Sequence, residues 1–598
     1  MRVATLVVFG GAIGAVDAQQ SPAPPDSSAA VVAESSTRQL PPVEVHGNYL
    51  NSVGSSDAAS AGTVTAKLIE SRPTLRPAEV LEFVPGVIVT QHSGDGKANQ
   101  YYLRGFNLDH GTDFATFVDG MPVNMPTHAH GQGYSDLNWL IPELVDRLRY
   151  RKGPYSAEDG DFASAGSARI DLVDALPRGL ASLTLGQDRY GRALVANSNA
   201  VGAGTLLYAV ELAHNDGPWD HPEKFHRANG VLRYRFGGET SRSTITAMGY
   251  SASWNATDQI PQRAVDAGLI GRFGSLDPSD GGQTERYSLS IASERRFDDG
   301  ELKLNAYAIR SKLDLFSNFT YFLEHPIDLD PTQIDGDQFE QVERRKIFGA
   351  TASRRWNGQL FGADATNTIG VQVRHDRLDP VALYATVDRR RAATTEESVV
   401  RETSVAVHGE NATQWLPWLR SIAGLRADEF FFDVESSIAV NSGTRDAALV
   451  SPKLSLVFGP WRQTETFLNY GFGYHSNDAR GTTATIAAKS GDPVAAVTPL
   501  VRSRGGELGA RTEIIPGLQS SLALWQLRLG SELVFVGDAG ETEPSRASLR
   551  RGIEWNNHWI AASWLLVDAD FAASRSRFTE DDPAGNYIPG SVDRVVSL

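Results

Sequence analysis

The chain has 598 residues, a formal net charge of −16, a pI of about 5.3 and no cysteine. Its length exceeds that of one ordinary domain. The acidic balance argues against nucleic acid as a partner. The lack of cysteine excludes a disulfide framework, a Cys-ligated zinc site and a thiol nucleophile, and it suits an oxidising compartment.

The first residues have the pattern of a secretory signal peptide. Arg2 precedes an apolar run over residues 3–16, and small residues stand before Gln19. The alternative is a single membrane anchor, but the run is shorter than the roughly 20 residues that a spanning helix needs. We therefore assign residues 1–18 to a signal peptide.

Residues 19–60 have the composition of a disordered linker that begins rich in Pro, Ser and Ala. A short alternating segment lies within it, and its backbone is suited to pairing with a strand of another protein, with Val43 and Val45 on one face. The alternative is a loose edge strand. The segment consists of Leu40, Pro41, Pro42, Val43, Glu44, Val45 and His46.

Residues 80–170 contain four short β-type runs, each closed by a residue that permits a tight turn. Asp119-Gly120, between two apolar runs, predicts a hairpin. Arg147, Arg149 and Arg151 alternate with apolar residues, so a strand there puts three cations on one face. The four runs are Val84-Pro85-Gly86-Val87, Tyr102-Leu103-Arg104-Gly105-Phe106, Phe117-Val118-Asp119-Gly120-Met121-Pro122-Val123-Asn124 and Leu148-Arg149-Tyr150-Arg151-Lys152-Gly153-Pro154.

Two stretches of the same region have apolar residues at helical spacing. Residues 77–84 begin with Pro77, which suits the first position of a helix. Residues 137–148 repeat the spacing with four leucines and an isoleucine. We expect short helical structure in both.

From Leu180 onward the pattern changes to alternating apolar and polar residues separated by turns. About 18 strand-like runs lie between Leu180 and Ser574, several with aromatic residues near their ends. Short links alternate with long polar links such as residues 257–283, 323–337 and 477–498. The alternative is a secreted sandwich or propeller, but no repeat of the length of a propeller blade is present. The pattern favours a large membrane β-barrel.

In this order and at this spacing, the four runs of residues 80–170 resemble the plug domain of TonB-dependent outer-membrane receptors. The resemblance implies a mainly β fold, with an N-terminal α/β plug (residues 61–176) inside a large antiparallel transmembrane β-barrel (residues 177–598). It also implies that residues 40–46 are a TonB box and that the protein resides in the outer membrane of a Gram-negative cell.

Barrels of this family have 22 strands and end on an aromatic residue, whereas this sequence stops at Leu598 in what resembles the start of another strand. An open barrel leaves unpaired edges in lipid. Either the gene product is truncated or this barrel closes with fewer strands. We favour truncation and therefore expect the C-terminal strands to be missing from this sequence.

The resemblance further implies roles for residues of the plug. Arg104, together with Arg149 and Arg151, is expected to lock the plug to carboxylates of the barrel wall, with Glu507 and Glu532 as candidate partners. Loops at the apex of the plug are expected to meet the ligand. The candidate ligand-binding residues there are Asp109, His110, His128 and His130.

A receptor of this family imports a scarce extracellular ligand, most often a ferric siderophore. His128 and His130, with Asp109 and Asp136 nearby, leave open a direct metal-ion or metal-chelate site, and cobalamin or a glycan is a further possibility. The implied partners are the C-terminal domain of TonB, energised by the inner-membrane ExbB/ExbD complex, the extracellular metal chelate and outer-membrane lipids. No enzyme motif and no cofactor site is found, and a passive porin or adhesin needs neither plug nor box.

The box is expected to act through its backbone, which gives the first prediction. Val45→Pro removes a donor and fixes φ, so pairing with the partner strand fails. Uptake by the full-length protein should stop while ligand binding at the other face persists, as measured by parallel uptake and binding assays. Normal import by Val45→Pro would reduce residues 40–46 to a linker.

Overall fold

The computed structural model describes residues 4–8, 48–91, 94–108, 111–318, 337–532, 534–538, 540–543 and 545–598. The predicted TonB box (residues 40–46), Asp109 and His110 lie outside these ranges, as does most of the predicted signal peptide. The part of that peptide that is described, Ala4–Val8, is a strand paired with Leu180–Leu185.

The described chain is mainly β. Its strands are β1 Ala4–Val8, β2 Ala61–Thr65, β3 Ile88–Thr90, β4 Gln100–Leu103, β5 Phe106–Asn107, β6 Phe114–Val118, β7 Met121–Pro122, β8 Val145–Lys152, β9 Gly166–Leu172, β10 Leu180–Leu185, β11 Gly191–Val201, β12 Gly204–Asn215, β13 Phe225–Gly237, β14 Ser241–Asn255, β15 Gly281–Phe297, β16 Gly300–Ser317, β17 Gln338–Leu360, β18 Ala363–Val387, β19 Arg390–Leu416, β20 Leu419–Ser436, β21 Gly443–Trp461, β22 Thr464–Ser476, β23 Leu500–Thr512, β24 Leu518–Leu529, β25 Val534–Val536, β26 Glu541–Glu543, β27 Ser548–Ala562, β28 Leu565–Phe578 and β29 Arg594–Ser597. The α-helices are α1 Ala66–Ile69, α2 Gln262–Asp266 and α3 Ala479–Thr483, and 3-10 turns cover Pro77–Phe83, Pro142–Leu144 and Ala439–Asn441.

The plug contains a five-stranded sheet of order β2-β8-β9-β6-β7 and a small sheet of β3, β4 and β5. The hairpin predicted at Asp119-Gly120 is confirmed: both residues have positive φ (48° and 77°) and join β6 to β7. The helix predicted at residues 77–84 is a 3-10 turn over Pro77–Phe83. The helical expectation for residues 137–148 is wrong, because β8 begins at Val145 and only Pro142–Leu144 is helical. Pro142 begins the 3-10 turn, and pairing with β9 holds the residues from Val145 onward in a strand.

The wall of the barrel consists of β10–β24 and β27–β29. These strands follow one another in chain order in one antiparallel sheet, which β1 extends to 19 strands among the described residues. A single continuous sheet excludes the sandwich and propeller alternatives, so the predicted fold class is confirmed.

The wall surrounds the plug. Side chains from strands spread along the whole sheet bond to plug residues, and each of these bonds is between 2.6 and 3.3 Å long. The pairs include Arg192 with Glu143, Asn229 with Asn138, Asn305 with Asp119, Arg374 with Asn124, Arg426 with Glu158, Lys453 with Pro154, Arg104 with Glu507 and Arg72 with Asp568.

The two rims of the wall differ in their links. The short-turn rim is closed by residues 202–203, 238–240, 298–299, 361–362, 417–418, 462–463, 513–517 and 563–564. The opposite, long-loop rim carries the longer links, which follow β12, β14, β16, β22, β24 and β28, together with three shorter ones at residues 186–190, 388–389 and 437–442. This asymmetry is the pattern of outer-membrane barrels, in which the long loops face outwards.

The outer face of the wall is apolar while its inner face is polar. In β15, Tyr287, Leu289 and Ile291 are exposed, whereas Ser288 and Ser290 between them are buried. Aromatic residues mark the short-turn rim, where Trp418 stacks on Trp461 with ring centroids 6.1 Å apart. Such a band with an aromatic edge is suited to lipid. Separately, none of the helices in the described ranges is long and apolar enough to cross a membrane.

A charge in the middle of this band should be costly, whereas one at its edge should not. Leu289 lies midway along β15 and Phe297 ends it at the short-turn rim. We expect Leu289→Arg to lower the free energy of unfolding by about 2–4 kcal/mol and Phe297→Arg by about 0–1 kcal/mol. Urea unfolding in lipid vesicles, followed by tryptophan fluorescence, measures both. Equal effects of the two substitutions would contradict a lipid-facing band.

Candidate functional site

Arg104 stands at the point where the plug meets one side of the wall. Arg104 and Gly105 have positive φ (51° and 69°) and form the tight turn between β4 and β5. The Arg104 guanidinium donates from Nε to Glu554 Oε1 (3.1 Å) and from Nη2 to Glu554 Oε2 and Glu507 Oε2 (both 3.0 Å). It also lies 4.8 Å from the ring centre of Trp525. This predicted lock residue therefore contacts two wall carboxylates.

The carboxylates around Arg104 have further partners. Lys152 Nζ lies 3.0 Å from Glu554 Oε2 and also donates to the carbonyl of Pro85 (2.9 Å). Ser60 donates from its hydroxyl to Glu507 Oε2 (2.5 Å). The side chains of Arg104, Glu507 and Glu554 are at most 2% exposed. Burial alone would lower the pKa of Arg104. The carboxylates of Glu554 and Glu507 raise this pKa by more than burial lowers it, so the guanidinium stays charged.

Of the two wall carboxylates proposed from the sequence, one contacts Arg104. Glu507 does, whereas Glu532 pairs with Arg550 of the wall (Arg550 Nη2 to Oε2, 2.8 Å). Glu554 was missed. Its signal is a carboxylate in β27 between Ile553 and Trp555, at the alternate position that faces into the barrel.

Lys152 was missed as well, although it ends a run that the sequence singled out. Along β8, Lys152 shares the buried face with Leu148 and Tyr150, while Arg147, Arg149 and Arg151 point the other way. From β8, Lys152 therefore reaches a wall carboxylate at ion-pair distance.

The prediction that Arg149 and Arg151 pair with the wall is wrong in its choice of partners. Arg149 bonds to Asp171 (2.9 Å) and Arg151 lies 3.8 Å from Asp159, and both aspartates belong to the plug. Burial raises the pKa of Asp159, but Arg169 and Arg151 lower it to about 2. These arginines therefore pair within the plug, and they border a cavity between the plug and the wall.

The histidine segment, residues 125–133, lies at the end of the plug nearest the long-loop rim and is buried against the wall. The ring of His128 stacks on Tyr134 with centroids 4.0 Å apart. His128 Nδ1 accepts from the backbone N–H of His130 (3.2 Å), and His128 Nε2 lies 3.7 Å from Glu343 Oε2. His130 Nδ1 lies 2.8 Å from Gln341 Oε1. Both rings are therefore occupied by protein contacts.

The wall holds the histidine segment mainly through the segment's backbone. The His128 N–H donates to Asp478 Oδ2 (3.2 Å), and the His128 carbonyl accepts from Arg480 Nη2 (2.8 Å). The Ala129 N–H donates to Glu343 Oε2 (3.1 Å). The Thr127 carbonyl accepts from Arg345, which also pairs with Glu343 (2.7 Å) and with Asp376. We call Glu343, Arg345, Asp478 and Arg480 the apex clamp.

Across the described ranges, no three His, Cys, Asp or Glu side chains converge so that they could hold a metal ion. The proposed metal ligands His128 and His130 point to Glu343 and Gln341 respectively. Asp136, the other carboxylate considered with them, caps its own turn by accepting from the Asn138 N–H (2.8 Å). The two histidines are near neighbours in the sequence. Among the described residues, however, their side chains do not converge with a third His, Cys, Asp or Glu on one point.

Two protein-family models match this chain. Residues 55–167 match the TonB-dependent receptor plug domain, and residues 218–598 match the TonB-dependent receptor-like β-barrel. The chain belongs to the TonB-dependent receptor family. These matches confirm the resemblance inferred from the sequence. The family is one of receptors and transporters.

Solved structures with the same fold include three transporters of metals or metal chelates. The ferric citrate transporter FecA in its unliganded form has 13% identity and a TM-score of 0.71, over 90% of this chain and 81% of FecA. The closed form of the ferric-catecholate import receptor Fiu from K12 E. coli has 12% identity and a TM-score of 0.71, over 92% and 86%. The copper transporter OprC has 16% identity and a TM-score of 0.68, over 88% and 80%. At such identities the receptor shares a fold with them, and its ligand must be argued separately.

The buried contacts of Arg104 lead to a prediction for its substitution, and an exposed arginine of the same plug serves as the control. Arg104→Met leaves Glu507 and Glu554 buried with fewer partners, and breaking a buried ion pair typically costs about 3–5 kcal/mol. We expect hydrogen exchange of the β4 and β5 amides to accelerate strongly. Arg149→Met removes an exposed pair, worth at most about 1 kcal/mol, and should leave those amides protected. Unchanged protection in Arg104→Met would contradict a plug held by this residue.

Proposed function

We propose that this receptor binds a ferric siderophore at its long-loop rim and imports it into the periplasm. The import uses proton motive force delivered by TonB, whose C-terminal domain pairs with residues 40–46. Membership of the TonB-dependent receptor family supports the mechanism. The plug also supports it: a passive channel has no use for a domain tied to its wall by buried charges.

One observation favours a chelate over a free metal ion. The rings of His128 and His130 already contact Tyr134, Glu343 and Gln341, and the backbone between them is held by the apex clamp. A metal ion bound at the Nδ1 atoms of this pair would have to displace two buried hydrogen bonds, each of which costs free energy to leave unmade. A siderophore supplies the metal ligands itself, so the receptor need only recognise the outside of the chelate.

Cations next to aromatic rings stand at the long-loop ends of β16–β19. Arg391 lies 3.9 Å from the ring centre of Tyr384, and Arg389 lies 5.5 Å from that of Phe316. Lys489, in the loop after β22, lies 5.8 Å from the ring centre of Phe339. Side chains of these two kinds recognise anionic, aromatic chelates without touching the metal.

The ligand can be tested by titrating the purified full-length receptor with ferric catecholate, ferric hydroxamate and ferric citrate, and separately with zinc, copper and nickel. We expect one class of ferric chelate to bind saturably, and Arg389→Met/Lys489→Met to weaken that binding about tenfold. In the titrations with zinc, copper and nickel, the unmodified receptor should bind metal only weakly. The control variant His128→Ala/His130→Ala should bind metal equally weakly.

Two results would contradict the proposal. Binding of none of the three ferric chelates would refute a siderophore ligand. Saturable metal binding that the double histidine variant abolishes would favour the direct-metal alternative.

A further inference from the structure

Five arginines stand on the outer face of the wall, in strands β23, β24, β27 and β28. Each of them is exposed, while the residues before and after it in its strand are buried or half-buried. Because strand side chains alternate between the two faces of a sheet, these five point away from the plug. We call Arg502, Arg504, Arg528, Arg551 and Arg575 the outer arginine patch.

The pairing of the strands places members of this patch side by side. Arg504 lies directly opposite Arg528, and Arg551 lies directly opposite Arg575. Residues opposite each other in an antiparallel pair have Cβ atoms about 5 Å apart, and like charges in that position destabilise the pair. The wall therefore holds two pairs of adjacent guanidiniums that repel each other.

The charge of the patch is not balanced by the chain itself. Among the described residues, no carboxylate lies within ion-pair distance of any of the five arginines. Arg502 instead donates from Nη1 to the carbonyl of Val450 (3.1 Å) and lies 5.6 Å from the ring centre of Phe472. On β19, by contrast, the outward-facing Arg401 lies 2.8 Å from Asp433. An anion that neutralises the patch must come from outside the chain.

The patch lies at the level of the lipid headgroups. Arg528 is ten residues from Leu518, where β24 begins at the short-turn rim. A strand tilted as in membrane barrels rises about 2.5 Å per residue along the barrel, which puts Arg528 about 25 Å above that rim. The lipid-facing band of such barrels is also about 25 Å tall, and their long loops face outwards. The patch therefore meets the headgroups of the outer leaflet.

An apolar groove on the outer face of the wall adjoins the patch. The groove has a volume of about 530 Å³, and Arg551 borders it. Gly506 lines it between the outward-facing Arg504 and Leu508, at a position where β23 carries no side chain. The other lining residues are mostly apolar and include Leu454, Leu456, Leu468, Tyr470 and Leu524.

The patch and the groove match the two parts of a phosphorylated lipid. Guanidinium groups bind phosphate through paired, charge-assisted hydrogen bonds, and a phosphate between two arginines removes their repulsion. The groove receives a hydrocarbon chain without desolvating polar groups. Because Arg551 borders both features, one molecule can place its headgroup on the patch and a chain in the groove.

We propose that the β23–β28 side of the wall binds a phosphorylated lipid of the outer leaflet, with its phosphates on the outer arginine patch and an acyl chain in the groove beside Gly506. This site lies on the outside of the wall and does not depend on the proposed import function. The same strands carry Glu507 and Glu554 on their inner face, so the lipid lies against the part of the wall that anchors the plug.

The site can be tested by native mass spectrometry of the full-length receptor in detergent micelles, titrated with three probes. Lipid A with two phosphates carries both features, diacylglycerol carries chains without phosphate, and inorganic phosphate carries no chain. We expect only lipid A to bind tightly. The variant Arg504→Gln/Arg528→Gln/Arg551→Gln should weaken that binding about a hundredfold, because each cation near a lipid surface contributes about fivefold.

A matched control removes the same number of exposed arginines at the opposite edge of the band. Arg295, Arg296 and Arg355 are exposed beside the short-turn rim. Their joint substitution by Gln should leave the affinity for lipid A unchanged.

The groove has a test of its own. A Cβ added to Gly506 would lie 3.7 Å from the carbonyl oxygen of Asn469 and 3.8 Å from Tyr470, which is ordinary contact. Gly506→Leu should therefore fill the groove without disturbing the wall, and it should weaken lipid A binding about tenfold through lost apolar contact.

Four results would overturn the proposal. Equal affinity of lipid A for the unmodified receptor and the patch variant would exclude the arginines, and an equal loss in the short-turn control would reduce the effect to overall charge. Diacylglycerol or inorganic phosphate that binds as tightly as lipid A would exclude a site for a phosphorylated lipid. Unchanged binding by Gly506→Leu would exclude the groove.

Discussion

The arrangement of this receptor depends on the cost of burying a charge without a partner. Glu507 and Glu554 face into the barrel at positions where water does not reach them, and Arg104 and Lys152 of the plug are the cations beside them. Breaking these contacts while the plug stays in the barrel would leave both carboxylates and both cations without their buried partners, which is costly. These buried charges tie the plug to the β23–β28 side of the wall.

The opposite side of the plug follows from that anchoring. With β4, β5 and the buried face of β8 turned towards β23–β28, the charged face of β8 must turn towards β13–β20 and remain solvated. The histidine segment lies at one end of a cavity on that side, and hydrogen bonds from the wall hold its backbone there.

Local patterns in the sequence predicted most of the fold. Alternation along the wall strands, the Asp119-Gly120 turn and the spacing of the four plug runs each reflect short-range chemistry that survives in the folded chain. Residues 137–148 misled because their leucines serve a buried turn and strand rather than a helix face. The partner of Arg149 could not be predicted, because the sequence does not show whether the charged face of β8 lies nearer to Asp171 of the plug or to a carboxylate of the wall. Glu554 and Lys152 were missed, although alternation along their strands indicates that both face the interior. The clamp on His128 could not be predicted, because it joins parts of the chain that lie far apart in the sequence.

The central claim is that this barrel imports its ligand with energy from the inner membrane. The most direct measurement is uptake of an iron-55 siderophore by cells that depend on this receptor, with and without a protonophore. The account predicts that accumulation falls to the level of surface-bound ligand when the proton gradient collapses, while binding to the cells persists. Accumulation that continues unchanged without the gradient would contradict it.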